Sequence, residues 1–195
     1  MRWARHSAYQ GQHSSHLSPS KYHWLNYDDD KFDRIFAMQR AAARGTELHE
    51  LAAHLIKLGI PLRQNGTTLS LYVNDAIGYR MRPEQLLVYS PNAFGQCDAI
   101  SFRPEKRSKG KPVLRVHDLK TGSSLTSFKQ LECYCALFCL EYLENPFDIM
   151  MEARIYQNDD FKIHLPDPDD IMHIMQRYKY LDKRVDRLIN EEDEL

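Results

Sequence analysis

The chain of 195 residues lacks several features that would assign it to a class at once. No apolar run approaches the roughly 18 residues that a membrane span needs, because the best one, Cys133 to Leu140, ends at Glu141. The amino terminus is basic but has no apolar stretch typical of a secretory signal peptide. The sequence therefore predicts no membrane association and a cytoplasmic location.

Neither sign of charge dominates, because 26 Lys and Arg stand against 27 Asp and Glu. This balance excludes a globally basic, histone-like nucleic-acid binder, but it allows an enzyme that uses a local basic strip. Cys97, Cys133, Cys135 and Cys139 include no C-x2-C pair, so a zinc ribbon is not expected. We predict that the four cysteines are free and mostly buried thiols.

Length and composition predict one globular domain over residues 1–195. The hydrophobic share of 43% and the charged share of 27% exclude disorder across the whole chain. Residues 1–17 are expected to form a flexible amino-terminal extension. Residues 168–195 are expected to form a carboxy-terminal helix with an acidic tail.

Hydrophobic periodicity predicts helices, then strands, a helix, strands and a last helix, an order that fits an α/β or an α+β fold with helices on a mixed sheet. The fold class expected is α/β, with a central mixed sheet flanked by helices. A short helix is expected to begin at Ser18-Pro19-Ser20 and to be interrupted by Asp28-Asp29-Asp30, and Gly59 is expected to end the long helix that follows. The first long helix should bury one stripe, formed by Leu48, Leu51, Ala52, Leu55 and Ile56. The predicted helices are Asp33–Leu58, one capped by Thr67 or Thr68, one from Ser124 or Thr126 to Leu143, and Asp169–Asn190; the predicted strands are 85–90, 96–103, 112–120, 147–156 and 161–165.

Two of these strands, 96–103 and 112–120, place two carboxylates side by side if they pair as an antiparallel hairpin. If the turn is centred on Ser108, paired residues lie equally far from it along the chain, so Asp98 lies opposite Asp118. The same register sets Ile100 opposite Val116 and Phe102 opposite Leu114, all on one face. That face is apolar except at the end where the carboxylates lie.

Adjacent carboxylates repel each other and need a compensating cation, which Mg²⁺ or Mn²⁺ can supply. Lys120 points the same way as Asp118 and could act on water or on developing phosphate charge. This arrangement suits phosphodiester hydrolysis. The alternative is a pair of surface carboxylates at strand ends with Lys120 as their salt-bridge partner.

Polar residues on two helices add to this constellation. Gln130 and Tyr134 share a helix face by their i, i+4 spacing, either as a packed polar pair or as contacts to a phosphate or base. His49 lies about 100° from Leu48, off the core stripe, and alone it would be a surface or packing residue. His117 alternates to the sheet face away from Asp118 and is not a predicted ligand. The apolar face of the second of these helices is predicted to comprise Phe128, Leu131, Cys135 and Tyr142.

Four short motifs occur in an order that resembles the PD-(D/E)XK nuclease superfamily, and within it the RecB-like branch of phage exonucleases and CRISPR-associated adaptation nucleases. Each motif alone is weak, but the ordered set is fairly specific. The motifs are Gly45-Thr46-x-x-His49, Gly95-x-x-Asp98, Asp118-x-Lys120-Thr121-Gly122 and Gln130-x-x-x-Tyr134. Leu17-Ser18-Pro19-Ser20 is also similar to the entry of that branch's first helix.

The resemblance implies a restriction-endonuclease-like core and a role for each motif residue. His49, Asp98, Asp118 and the main-chain carbonyl of Leu119 would bind Mg²⁺ or Mn²⁺. Asp98, Asp118 and Lys120 would be catalytic, with Lys120 acting on the nucleophilic water. Gln130 and Tyr134 would position DNA.

The chain departs from those relatives that carry an iron–sulfur cluster. Their cluster uses one cysteine after the first helix and three in a carboxy-terminal run. Here Asn26 follows Trp24-Leu25, and no cysteine follows Cys139. No iron–sulfur cluster is therefore expected.

A basic segment joins the two carboxylate-bearing strands and contains Lys106, Arg107 and Lys109. It is predicted either to contact the DNA backbone or to be a solvated hairpin tip. The expected activity is that of a metal-dependent DNA nuclease, and an exonuclease is favoured over an endonuclease. The enzyme would act in phage recombination or DNA processing, in the cytoplasm of the host. Its partners would be DNA and, in phage recombination, a single-strand annealing protein. The alternatives are a non-catalytic DNA-binding module on the same fold and a restriction- or repair-type endonuclease.

Overall fold

The computed structural model describes residues 23, 25–104, 110–122 and 126–193, without the side chains of 41–44 and 192–193. The chain divides into two compact units, Met1–Arg44 and Gly45–Leu195. The single domain over 1–195 stays a prediction. The flexible extension over 1–17, the basic residues Lys106, Arg107 and Lys109, and Ser124 lie outside the described residues.

Helix α1 (Asp29–Leu58) begins four residues before its predicted start. The Asp28 carboxylate accepts a hydrogen bond from the Lys31 N–H at 2.7 Å, as an N-cap does. Asp29 and Asp30 occupy the first turn, where negative charge is favourable. The expected interruption is confirmed at Asp28, which follows a short helical turn at 25–26 and lies outside any helix. It is wrong for Asp29 and Asp30, which belong to the first turn of α1.

The predicted end of α1 is confirmed. Gly59 adopts φ +65°, and the Ile60 N–H donates to the Leu55 carbonyl at 3.0 Å. This is the glycine-terminated motif that satisfies the last carbonyls of a helix. Helix α2 (Thr68–Gly78) follows, with Thr67 as its N-cap, as predicted.

A five-stranded mixed sheet follows, in the order β1-β2-β3-β4-β5. β2 is antiparallel to its neighbours β1 and β3, β3 and β4 are parallel, and β4 and β5 form an antiparallel hairpin. The predicted α/β fold, a mixed sheet with flanking helices, is confirmed. The remaining elements are β1 (Arg82–Ser90), β2 (Ala93–Pro104), β3 (Pro112–Leu119), α3 (Lys129–Glu141), β4 (Met150–Gln157), β5 (Asp160–His164) and α4 (Pro168–Asp193).

The predicted register of β2 and β3 is also confirmed. Ile100 pairs with Val116 and Phe102 with Leu114, and the ladder ends at the pair Ala99 and His117. The next position on each strand is Asp98 and Asp118. The two carboxylates therefore lie at one end of an otherwise apolar face.

Two cores cover the two faces of the sheet. Ile100, Leu114 and Val116 belong to the core that includes α3 and α4. Ala99 and Leu119 belong to the other, which includes α2 and the end of α1. The alternation of strand side chains accounts for this division.

Two residues predicted in apolar helix faces are exposed. Leu51 is 47% exposed, because α1 turns Ala52 and Ile56 inward and leaves Leu51 about 100° away from Ala52. Tyr142 is 51% exposed, because α3 ends at Glu141 before the ring can enter the core. The cysteines are free, as predicted; three are buried and Cys133 is half-buried.

Candidate metal centre

The two carboxylates are held by β2 and β3 in different environments. Asp118 is 4% exposed, whereas Asp98 is half-buried. The Leu119 N–H donates to Asp98 Oδ2 at 2.9 Å, which fixes this carboxylate against the end of β3. The register of the hairpin thus delivers both predicted acids to one place.

His49 reaches the same place from α1. Its Nδ1 lies 3.3 Å from Asp98 Oδ2. The hydrogen bond to Asp98 raises the pKa of His49 against the effect of its burial, and the charges of Asp98 and Asp118 and a hydrogen bond to the Leu119 main chain act in the same direction. The structure therefore brings together the four groups predicted as metal ligands: His49, Asp98, Asp118 and Leu119.

Small residues let this part of α1 approach the sheet. Gly45, Ala52 and Ala53 are buried on the side of the helix that half-buries His49. The buried side is displaced from the predicted leucine stripe towards His49. The helix therefore presents the imidazole to the ends of β2 and β3.

Lys120 is the cation nearest to the carboxylates among the described residues. Its Nζ lies 3.0 Å from Asp118 Oδ1 and 3.1 Å from Gln130 Oε1, so two acceptors orient the ammonium. Its N–H donates to the Tyr156 carbonyl at 2.9 Å, which ties the residue to β4. Lys120 is thus a fixed group beside the acid pair.

One carboxylate oxygen of Asp118 has no hydrogen-bond partner among the described residues. Within the described part of the chain, Oδ2 is buried and accepts no hydrogen bond. Burial raises the pKa of Asp118, the charge of Asp98 raises it further, and Lys120 opposes both. A buried anionic oxygen without a donor is costly unless a cation approaches it.

The donor set fits a hard divalent ion. Two carboxylates and a main-chain carbonyl are oxygen ligands of the kind Mg²⁺ and Mn²⁺ prefer, and one imidazole is acceptable to Mn²⁺. Among the described residues, however, no three His, Cys, Asp or Glu side chains are already grouped to hold a metal ion. The donor atoms present are those that such an ion prefers, and Asp118 Oδ2 is a buried oxygen without a partner among the described residues. The side chains are not yet arranged as a complete set of ligands.

Tyr134 and Gln130 were predicted as DNA contacts, and the structure shows what they touch within the chain. The Tyr134 hydroxyl donates to the Gln96 carbonyl at 2.6 Å. A Cβ at Gly95 would lie 3.1 Å from Tyr134 Cε1, so the glycine makes room for the ring. Gln130 contacts Lys120, as described above. Their roles towards DNA stay predictions.

A cleft of about 160 Å³ opens beside His49 and Asp98, with Tyr72, Glu84 and Cys97 also in its walls. Burial raises the pKa of the Cys97 thiol to about 12. Cys97 is therefore not a nucleophile at neutral pH. The polar side chains in the lining of the cleft are those of His49, Tyr72, Glu84, Gln96 and Asp98.

A buried charged network lies on the other face of the sheet, and no motif or spacing in the sequence predicts it. Arg154 donates to Glu152 at 2.8 Å and to Asp75 at 2.9 Å, and Tyr156 donates to Asp75 at 2.7 Å. His117 lies beside this network, with Nδ1 3.2 Å from the Tyr156 hydroxyl, as expected for the face away from Asp118. Burial lowers the pKa of His117 well below its usual value, and the charges of Arg154 and Arg115 lower it further.

Comparisons with protein-family models, with curated proteins and with solved structures gave no match. The resemblance to the nuclease superfamily therefore rests on the four motifs and on the contacts between them. No helix among the described residues is long and apolar enough to cross a membrane.

Proposed function

We propose that this chain is a divalent-metal-dependent DNA nuclease, and that it acts as an exonuclease in the cytoplasm. The observation that carries the proposal is the convergence of His49, Asp98 and Asp118 beside Lys120, with the Asp118 Oδ2 atom buried and unpaired among the described residues. A purely structural salt bridge between Asp118 and Lys120 would not account for His49 or for the second carboxylate.

The roles of the residues follow from their contacts. Mg²⁺ or Mn²⁺ would be held by Asp98, Asp118, His49 and the Leu119 carbonyl. When bound, the ion would stabilise negative charge on the phosphodiester and lower the pKa of a water molecule. Lys120, oriented by Gln130 and Asp118, would position the attacking water and stabilise the developing negative charge. Gln130, which accepts a hydrogen bond from this lysine, and Tyr134, one turn further along α3, would contact DNA.

The first experiment measures cleavage and DNA binding separately. Asp118→Ala and Asp98→Ala should each abolish cleavage of linear duplex DNA in Mg²⁺ and retain DNA binding, because the change removes a metal ligand but no cation. Asp170→Ala, an exposed carboxylate on α4, is the matched control. Full activity of either site variant would refute the assignment.

The second experiment tests the histidine. His49→Ala should reduce Mn²⁺-supported cleavage, because imidazole favours the softer ion. His54→Ala, an exposed histidine on the same helix, should leave it unchanged. Equal activities of the two variants would make His49 a packing residue.

The exonuclease proposal rests on the resemblance and needs its own test. A covalently closed circle should resist digestion, while the same plasmid made linear should be degraded. Nicking of the closed circle would favour the endonuclease alternative.

A non-catalytic DNA-binding module is the second candidate, favoured by the lack of a completed three-ligand group among the described residues. Titration with Mn²⁺ separates the two. A rise in melting temperature that Asp118→Ala removes supports the nuclease, and no rise supports the module.

The DNA path can be tested at the predicted basic segment. Neutralising Lys106, Arg107 and Lys109 together should weaken DNA binding and flatten its salt dependence, because each lost phosphate contact removes about 0.7–0.9 from the log–log slope. An unchanged slope of log affinity against log salt concentration would show that the segment is a solvated turn that does not contact DNA.

A further inference from the structure

A second cavity, of about 350 Å³, lies where β1 begins and is lined by three arginines and three aromatic rings. The arginines are Arg80, Arg82 and Arg103, and the rings are Phe102, Phe138 and Tyr142. Its size is within the range of small-ligand sites. No part of the function proposed above uses this cavity.

The cavity exists because β2 is longer than its neighbour. The β1–β2 ladder begins at Arg82 and Ile100, so the Ser101–Pro104 end of β2 runs beyond β1. Arg80 and Arg82 lie beside that open strand edge. Arg103 donates from Nη2 to the Arg80 carbonyl at 3.4 Å, which draws the two residues together.

Arg80 occupies a position that normally favours glycine. It follows the last residues of α2 with φ +50°, and its N–H donates to the Ile77 carbonyl at 2.9 Å. Side chains other than glycine, asparagine and aspartate rarely adopt this left-handed conformation, because the Cβ crowds the backbone. This backbone conformation lowers the stability of the fold, and the residue that adopts it contributes a guanidinium to the lining of the cavity.

The charge of the cavity is strongly positive. All three arginines are exposed, and among the described residues none forms an ion pair with a carboxylate. Glu144 is the one acidic residue in the described lining. Several guanidinium groups around one space are the usual means of binding a phosphate group.

The aromatic rings form a row that leads from the core to solvent. The centroids of Phe102 and Phe138 are 4.9 Å apart, and those of Phe138 and Tyr142 are 4.8 Å apart. Tyr142, at the outer end, is 51% exposed. Aromatic side chains beside cationic ones are the arrangement on which nucleobases stack in single-stranded nucleic acids.

We infer that this cavity binds one nucleotide, with its phosphate on Arg80, Arg82 and Arg103 and its base against Tyr142. The ligand is either a free mononucleotide or an unpaired nucleotide of a DNA strand, since both carry the same phosphate and base. Glu144 can accept a hydrogen bond from an exocyclic amino group, so adenine should be preferred to thymine. The site needs neither the metal nor cleavage.

Calorimetric titration of the full chain in EDTA tests this inference without engaging the metal centre. Deoxyadenosine monophosphate should bind more tightly than inorganic phosphate or deoxyadenosine, because neither of these fills both parts of the cavity. Arg82→Gln and Arg103→Gln should each weaken nucleotide binding at least tenfold. Tyr142→Leu should weaken binding of the nucleotide but not of inorganic phosphate.

Matched controls are available on the exposed side of α4, where the Arg177 guanidinium lies 5.4 Å from the Tyr180 ring centroid. Arg177→Gln and Tyr180→Leu should bind the nucleotide as the wild type does. Arg80→Gly should melt at or above the wild-type temperature and still bind at least fivefold more weakly, which separates loss of the site from loss of the fold. Failure of the nucleotide to bind, or wild-type binding by the cavity variants, would overturn the inference.

Competition identifies the source of the nucleotide. A short single-stranded oligonucleotide that displaces deoxyadenosine monophosphate in the wild type, but binds Arg82→Gln more weakly, indicates an unpaired nucleotide of DNA. An oligonucleotide that does not compete indicates a free mononucleotide. If the wild-type protein binds deoxyadenosine monophosphate but does not cleave DNA in Mg²⁺ or Mn²⁺, only the proposed nuclease function is refuted.

Discussion

Gly45 lies directly against Thr121, so that a Cβ at position 45 would come within 2.9 Å of the threonine Oγ1. The two residues belong to separate motifs, one on α1 and one just after β3. The contact holds the helix that carries His49 at a fixed distance from the strand that carries Asp118. Small size at position 45 is therefore part of the geometry of the candidate site.

Gly45→Ala should lower the free energy of unfolding by about 1–2 kcal/mol, because a methyl group added to a filled contact forces the neighbours apart. In a Thr121→Ala background, which removes the Oγ1, the same change should become neutral or stabilising, since alanine favours a helix over glycine by up to about 1 kcal/mol. Urea denaturation of the four proteins in this cycle measures both values. Equal costs in the two backgrounds would show that the contact does not set the position of α1.

Asp118→Asn should raise the free energy of unfolding in EDTA by on the order of 1 kcal/mol, because the neutral amide replaces a buried charge that desolvation and repulsion from Asp98 disfavour. The sign follows from the raised pKa of Asp118: its environment favours the uncharged form, so a neutral isostere is better tolerated at neutral pH. Asp98→Asn gives the contrast. It weakens the acceptor for Leu119 N–H and His49 and should be destabilising.

Both variants should also lose the rise in melting temperature that Mn²⁺ gives to the wild type. Differential scanning calorimetry with and without Mn²⁺ measures stability and metal binding together. A destabilised Asp118→Asn protein in EDTA would mean that Lys120 already compensates the charge fully.

Gln130→Leu should lower kcat about tenfold or more, because the amide orients the Lys120 ammonium at 3.1 Å, and it should raise KM for DNA through the lost DNA contact. Gln130→Glu, which keeps an acceptor for that ammonium, should recover part of the rate. Steady-state kinetics on linear duplex DNA measure the two constants. A rise in KM with an unchanged kcat would make Gln130 a DNA contact only, with no role in orienting Lys120.

The cysteines should react slowly and in a fixed order. Burial raises the pKa of the Cys139 thiol to about 12, and it raises the pKa of the Cys135 thiol well above its usual value. Since the thiolate is the reactive form, a higher pKa lowers its fraction at any given pH, and the rate should rise about tenfold per pH unit until the pKa is reached. Half-buried Cys133 should be labelled first.

Iodoacetamide labelling at pH 8, followed by peptide mass spectrometry, measures this order. In urea all four cysteines should react at similar rates. Rapid labelling of Cys139 in the native protein would contradict its burial.

The sheet shows which pairings a sequence can predict. The β2–β3 register follows from strand alternation and one turn, because both strands lie close together in the chain. The parallel pairing of β3 with β4 requires α3 to cross between them, and no pattern in either strand names that partner. The same holds for the ion pair of Arg154 with Asp75, whose residues are 79 positions apart.

The candidate site divides in the same way. Asp98, Asp118 and Lys120 follow from the hairpin register. His49 has no local signal, because its place on α1 is equally typical of a packing residue, and only the resemblance predicts it. The contact of Gln130 with Lys120 depends on how closely α3 packs on the sheet, which helical periodicity does not determine.

The hairpin that joins the two carboxylates has a consequence for the order in which the chain folds. β2 and β3 are neighbours in sequence, so closing them costs little loop entropy, whereas His49 must arrive from an earlier helix across α2 and β1. Until it does, the hairpin brings two carboxylates together, and Lys120 is paired with only one of them, Asp118. A divalent cation that binds this early hairpin would relieve their repulsion before the native packing is complete. We therefore expect Mg²⁺ to accelerate refolding, and not only to slow unfolding.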